Sequence, residues 1–471
     1  MEFFGATIDL SFWQWLYDQP PTEQALVLFA LGGWVFLTYY LLLGMAELWA
    51  EYRTHTKYSN RFEWVLLAID VPPMFVQTPK AVEQIFAHLT GSLAHISVGD
   101  KFWMGKIQKS FSLEIISIEG YIQFLVRTEE EYRDLVEASI YAQYPEAEIT
   151  EVEDYIINIP DKFPNEEYDV AGIEFKLTND NAYPIRTYQE FEYSLSKEAV
   201  FSDPMAAILE NFTRIGHGEN LWLQIIVEPV GSEWKEKGIA LAKKLLKGEG
   251  AEKYEIGGIG SYLIKFLNFF ATEMGNAIQW NFEPKDPKDK KKEEKKGEGV
   301  TPGMKKTVEA IEEKISKVGF KNKLRILYAA RKEVFKPSSC ISGVVGAMNQ
   351  FQIQDRNGIV PVASTSAHYD PKHKKSNLLK TSFVKAFKAR KMKWKKYGGY
   401  IMNTEEMATL WHFPLPFVKT PLLHKAGHKR AEAPAGLPIE VFESPLKPKI
   451  SGQTSPEETP KATSPEELPF G

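Results

Sequence analysis

Not one lysine or arginine precedes Arg53. A secretory signal peptide carries a basic leading segment, so the uncharged run from Gln24 to Ala46 is not one, and it is expected to stay attached. Its 23 residues, at about 1.5 Å each, would form a helix of roughly 34 Å against a hydrocarbon core of about 30 Å. A membrane span over residues 24–50 is therefore expected. Arg53, Lys57 and Arg61 lie just beyond the run, and cationic residues favour the cytoplasmic side. The localisation that follows is single-pass in the cytoplasmic membrane, with a short leader (1–23) outside and the bulk of the chain in the cytoplasm. The aromatics of that leader, Phe3, Phe4, Phe12, Trp13, Trp15 and Tyr17, suit the outer headgroup layer.

Cysteine is almost absent too. The single Cys340 excludes an internal disulfide and agrees with a reducing compartment. No Cys and His set has zinc-ligand spacing; the nearest approach, His368 with Asp370 and His373, reads as a polar Tyr-Asp-Pro-Lys turn. A phosphate-cradling loop needs its glycines followed by Lys and then Ser or Thr, but Gly105-Lys106 is followed by Ile107, and Gly257-Gly258-Ile259-Gly260 leads into Ser261-Tyr262-Leu263. A nucleophile elbow is missing as well, since Gly260-Ser261 lacks its second glycine. The expectation is a protein that is not an enzyme and uses no cofactor or metal.

What is present is ordinary globular usage, 44 % hydrophobic and 25 % charged. The pattern predicts an α+β fold. Glu63 to Ile69 is a short apolar run ended by Val71-Pro72-Pro73; Pro79 opens a helix striped by Val82, Ile85, Phe86 and Leu89; Phe111 to Ser117 and Gly120 to Arg127 form a hairpin; a helix runs to Pro145, and a last strand lies near Ala147 to Glu151. That order is βαββαβ, a ferredoxin-like unit over 63–156. It recurs over 168–365, with strands at Gly172 to Thr178, Leu221 to Val227 and Lys323 to Ala329, and with an insertion at 231–321. Two tandem ferredoxin-like units after a transmembrane helix are expected, the second interrupted; one larger α+β domain is the alternative.

Within the insertion, residues 260–274 are apolar almost all round and too short to span, which suits a core helix and an interfacial membrane helix equally well. Glu283 to Gly297 is a mixed-charge linker. The next segment, 366–441, holds eleven Lys or Arg and no acid between Pro371 and Thr404. Lys385, Lys388, Arg390, Lys391, Lys393, Lys395 and Lys396 are candidates for binding phosphate, with Phe387, Trp394 and Tyr397 interleaved to stack on bases or sit among headgroups. A solvated helix face is the plainer alternative. Directly after it, Asn403 with Glu406 three residues on is a capping box, followed by an apolar face of Met407, Leu410 and Trp411 and a stop at Pro414. Residues 442–471 are rich in Ser, Pro, Glu and Thr and read as a disordered tail.

These strings carry a resemblance. The segments MNTEEMATLWHFP, SDPMAAILENFTRIGHGENLWLQIIVEP and Lys323 to Gly358 are similar to the N-terminal, non-motor region of membrane-anchored ATPases of the type IV secretion coupling-protein kind, in the HerA/FtsK-like group. The family's pattern is met by Asn403, Glu405, Glu406, Ala408, Thr409, Leu410, Trp411, His412 and Pro414. In those proteins an Ala-Pro and Leu-Pro segment, like Ala433-Pro434 and Leu437-Pro438, leads into a RecA-like motor; here a Ser/Pro/Glu tail follows instead. The resemblance implies a split arrangement: a non-catalytic structural subunit of a DNA- or protein-translocating machine, working with a separately encoded RecA-like ATPase. Glu405, Glu406, Met407, Leu410, Trp411, His412 and Pro414 are then candidates to dock that ATPase or to pack on the second unit as its platform. The implied partners are the bilayer, the ATPase, DNA and further copies of the chain. The alternative is a membrane-associated protein that binds nucleic acid or anionic lipid outside secretion.

Overall fold

The structure, a computed structural model, describes residues 2–3, 6–7, 15–30, 34–54, 62–72, 77–193, 200–201, 203–246, 301–367, 370–394 and 398–414. Residues 260–274, Lys395, Lys396, His368 and the tail lie outside them. The chain divides into two compact units, one of residues 1–64 and 92–109, the other of residues 65–91 and 110–471.

The first unit contains helices α1 (Pro21–Leu28) and α2 (Trp34–Arg53). The apolar run of the sequence is thus shared between two helices, and α2 takes Glu47 and Glu51 into its last turns. No helix among the described residues is long and apolar enough to cross a membrane, which corrects the span expected over 24–50.

The second unit is built on one sheet. Its strands in chain order are β1 (Trp64–Asp70), β2 (Phe111–Ile118), β3 (Tyr121–Glu129), β4 (Glu148–Glu151), β5 (Tyr168–Leu177), β6 (Glu219–Pro229), β7 (Gly319–Arg331), β8 (Ile359–Ser364) and β9 (Tyr400–Asn403). Eight run side by side in the order β8-β5-β7-β6-β2-β3-β1-β4, and β9 pairs with β7 off this path. The two separate four-stranded ferredoxin-like units expected from the sequence are therefore not found: one nine-stranded sheet takes their place. The reason is visible in β6, which pairs antiparallel with β7 on one side and with β2 on the other over eight residues, Asn220 to Val227. A strand with apolar residues on both faces and two free edges gains ladder hydrogen bonds and burial by joining, so nothing separates the halves.

The helices divide between the two sheet faces. On one side lie α3 (Pro79–Leu89), α4 (Arg133–Gln143), α5 (Ala206–Thr213), α8 (Pro337–Met348) and α10 (Thr404–Leu410), all contributing to one core. On the other lies α9 (Lys374–Lys388), with Phe383, Val384 and Phe387 over Trp222, Leu327 and Ala329. Strand β7 shows the alternation that makes this possible: Leu324, Ile326 and Tyr328 enter the first core, while Leu327 and Ala329 enter the second. The helices α6 (Glu233–Leu246) and α7 (Pro302–Ser316) flank residues 247–300 and pack on each other through Trp234, Ala242, Val308 and Ile311. Local signals read from the sequence operate here. Pro79 stands in the first turn of α3 and the stripe Val82, Ile85, Phe86 and Leu89 is buried. The β2–β3 hairpin turns through Glu119 and Gly120, both at positive φ (54° and 92°), the mirror-image turn that matches strand twist.

Burial pushes the phenols of Tyr144, Tyr155 and Tyr400 above their ordinary range. A tyrosine held protonated in the folded state but free to ionise near pH 10 when unfolded stabilises the fold fully below about pH 10, and this is lost as pH rises further. The urea midpoint is expected to hold level from about pH 8 to 9 and to fall between about pH 10 and 11. A midpoint unchanged at about pH 11 would show that these phenols ionise as easily in the folded chain.

Candidate functional site

Three groups of charged residues organise the second unit. The first surrounds α10. Asn403 caps it: its Oδ1 accepts from the Glu406 amide at 2.8 Å, and Glu406 Oε2 accepts from the Asn403 amide at 2.9 Å, the reciprocal capping box read from the sequence. Glu406 does more. Its carboxylate accepts from the Ile185 amide at 2.9 Å and pairs with Lys314 Nζ at 2.9 Å, both side chains fully buried. Lys314 also donates to the carbonyls of Tyr183 (3.1 Å) and Ile401 (3.3 Å), so all three of its protons have acceptors. Burial lowers the pKa of this ammonium while Glu406 pulls it back up.

Beside this pair, Lys317 bridges Glu405 (2.5 Å) and Glu83 of α3 (3.2 Å), and Thr409 Oγ1 accepts from the Tyr188 amide at 2.9 Å. His412 presents Nδ1 to the Ala408 carbonyl (2.7 Å) and Nε2 to Asp203 (3.0 Å), the residue that caps the turn into α5. Met407, Leu410 and Trp411 are buried, with Trp411 against Phe124 and Phe413. The string read either as a docking face or as a platform packed on the second unit is the knot tying α3, α5, α7, β9 and the 183–188 loop together, and its apolar face is turned inward. Only Pro414 at its end is half-buried.

The second group is a row across the sheet. Glu174, Arg325, Gln224 and Glu114 are directly paired neighbours on β5, β7, β6 and β2. Arg325 bonds Glu174 at 3.2 Å, Lys323 joins it at 3.1 Å, and Gln224 donates to Glu114 at 3.1 Å. Arg390, in a left-handed conformation just past α9, closes the row by gripping Glu114 (3.0 and 3.2 Å) and Asp154 (2.9 Å). Sequence reasoning passed over this row, although a signal was there: each strand carries a polar or charged residue inside its apolar run, Glu114 in FSLEIISI, Glu174 in AGIEFKL, Gln224 in LWLQIIV and Arg325 in KLRILYAA. A polar residue near the centre of each of four neighbouring strands marks a ladder that has to be satisfied internally.

The third group is the basic segment, and the fold divides it. Lys388 bonds Asp161 (2.6 Å) and the Ile159 carbonyl (2.5 Å), Lys380 pairs with Asp169 (2.5 Å), and Arg390 is buried in the row. Phe387 and Trp394 are core residues, Trp394 with its N–H on Ser382 at 3.0 Å, so neither can stack on a base. Lys385, Lys391 and Lys393 remain exposed, together with Lys374 and Lys375 at the start of α9.

A cleft of about 630 Å³ opens between the first turns of α8 and α9, walled by Val170, Phe335 and Ile341 and edged by Ser338, Ser342 and Ser376. The β5 edge beneath it is already closed by side chains, with Asn165 on the Tyr168 amide (3.0 Å) and Asp169 on the Val170 amide (2.8 Å).

A family model described as a domain of unknown function, DUF8128, matches residues 74–425, well over half of the chain. The chain belongs to this family. The DUF8128 match takes in all three charged groups and runs past Pro414. No curated protein matches the chain.

Proposed function

We propose that this DUF8128 protein is a membrane-held, non-catalytic interaction subunit of a DNA- or protein-translocating machine of the type IV secretion kind, acting with a separately encoded ATPase. The observation that carries the proposal is the division of the basic segment into cations locked into the fold and cations left outside. Lys388 ties α9 to the 159–161 segment and Arg390 ties the loop after it to Glu114 of β2, which leaves Lys385, Lys391 and Lys393 exposed on a rigid support. Fixed, exposed, like-signed charges attract a polyanion, and polyanion binding releases counterions. The buried carboxylates and amines are engaged in holding elements together, so no chemical step is assigned to them. The same exposed cations also favour the second reading, an anion-binding protein outside secretion; an ATPase that co-purifies with the chain separates the two.

The test uses the full chain and single-stranded DNA. Replacing Lys385, Lys391 and Lys393 by Gln should leave the thermal midpoint within about 2 °C and flatten the salt dependence of binding, by about 0.7 in log–log slope for each phosphate no longer neutralised. Lys388→Gln and Arg390→Gln are unsuitable probes, because they remove hydrogen bonds that hold the fold. Unchanged affinity and unchanged slope in the triple variant would reduce these cations to a solvated surface.

A further inference from the structure

The first unit is assembled from two stretches that lie far apart in the chain. Residues 100–104 form one π-helical turn folded onto the C-terminal end of α2. Trp49 Nε1 donates to the Phe102 carbonyl at 3.1 Å, Arg53 Nε to the Trp103 carbonyl at 2.9 Å, and Thr54 Oγ1 to the Gly105 carbonyl at 2.8 Å. Gly105 is required twice over: its φ is +71°, and a Cβ there would come within 2.6 Å of the Thr54 nitrogen. This is a specific joint, and what it builds is a ring of aromatics, Trp49, Tyr52, Phe102 and Trp103, around one end of α2. Arg53 lies over the Trp49 ring and Lys101 over the Phe102 ring, Lys106 pairs with Asp100 at 3.0 Å, and Glu47 and Glu51 belong to the last turns of α2.

Among the described residues of this unit, nothing buries Trp49, Tyr52 or Trp103. Trp103 is 72 % exposed, Val98 74 % and Leu42 62 %, and a groove of about 710 Å³ runs along Leu42, Met45 and Trp49 to Phe102 and Trp103. The direction of exposure decides what the cover is. Tyr39, Tyr40, Leu41, Leu42 and Leu43 are five consecutive large exposed residues, and at 3.6 residues per turn they go right round the helix. A protein partner or a second copy would cover one side. A fluid apolar medium covers all sides, and amphipathic rings with cations at one end of the apolar stretch are the arrangement favoured at a headgroup boundary.

We propose that α2 is immersed in the apolar layer of a phospholipid bilayer, with residues 97–105 as a collar at headgroup level and acyl chains lying in the groove between the collar and the helix. The proposal rests on the membrane-held reading above and adds to it a second, non-contiguous lipid-contacting segment. The uncharged part of α2, Trp34 to Ala46, reaches only about 20 Å at 1.5 Å per residue, so immersion is proposed and not crossing.

Nitroxide labels test it in the full chain carrying Cys340→Ser, placed singly through Leu42→Cys or Met104→Cys and reconstituted into vesicles of phosphatidylcholine and phosphatidylglycerol. Collision with oxygen reports hydrocarbon, and collision with a water-soluble nickel chelate reports solvent. The expected result is oxygen-dominated collision at 42 and a headgroup-level balance at 104, with 104 moving into solvent when Gly105→Val breaks the joint and 42 unchanged. A label at 104 that is fully solvent-accessible while 42 stays in hydrocarbon overturns the collar but leaves the membrane-held reading standing. Solvent collision at both positions overturns both. Protection of 42 from both agents would mean that protein covers the helix, which overturns the lipid assignment.

Discussion

Replacing Lys314 with methionine is expected to destabilise the second unit by about 3–5 kcal/mol, the cost of leaving a fully buried carboxylate without its counter-charge. Glu406 would keep the amides of Ile185 and Asn403 but lose the cation paired with it among the described residues, in a place where its side chain has no exposure. At about 2–4 °C per kcal/mol for a domain of this order of size, the thermal midpoint should fall by roughly 10 °C. The partner change separates charge from packing. Glu406→Gln keeps an oxygen that can serve the capping box, so the double variant Lys314→Met with Glu406→Gln should be clearly more stable than the sum of the single losses predicts. Strict additivity in that cycle would mean that the two groups do not interact, and the knot around α10 would have to be described without its central pair.

The sequence announced this knot without revealing its direction. The capping box was legible because Asn403 and Glu406 act within one turn, and the helix start at Pro79 was legible for the same reason. The partners that decide whether Met407, Leu410 and Trp411 face inward come from far along the chain: Lys314 is 92 residues from Glu406, and Asp203 is 209 from His412. Amphipathic spacing gives the existence of an apolar face and says nothing of what covers it. The basic segment misled for a related reason. A lysine bound to an aspartate on another element looks in one dimension like a lysine open to solvent, and only the fold separates Lys388 and Arg390 from Lys385, Lys391 and Lys393. The merger into one sheet depended on β6 meeting β2, a pairing that local pattern cannot specify because any apolar strand edge would serve. The apolar run at the N-terminus was legible as apolar. Its division between α1 and α2, with Glu47 and Glu51 carried into the second helix, was not.

Trp411→Ala is expected to have the other large effect, about 3–5 kcal/mol, the usual cost of removing a buried indole. Trp411 is 1 % exposed and sits edge-on to Phe124 at 5.9 Å and to Phe413 at 5.3 Å, while Phe413 in turn meets Tyr144 at 5.1 Å. Removing it opens a void where α10 meets the sheet, and the neighbouring rings are too tightly held to fill it. Trp411→Phe separates size from polarity. The indole N–H has no hydrogen-bond partner among the described residues, so phenylalanine loses area but also relieves an unsatisfied buried donor, and it should cost far less than alanine. Urea midpoints for the three proteins should therefore fall in the order wild type, Phe, Ala, with the larger step last. The pair of variants also bears on how any ATPase is held. If Trp411→Ala kept the wild-type midpoint but no longer co-purified with an ATPase, the residue would be an exposed anchor and its placement in the core would be wrong. If the midpoint falls as expected, and a partially destabilised but still folded Trp411→Phe retains the association, docking belongs to another surface, and the exposed lysines of α9 become the first place to look for it.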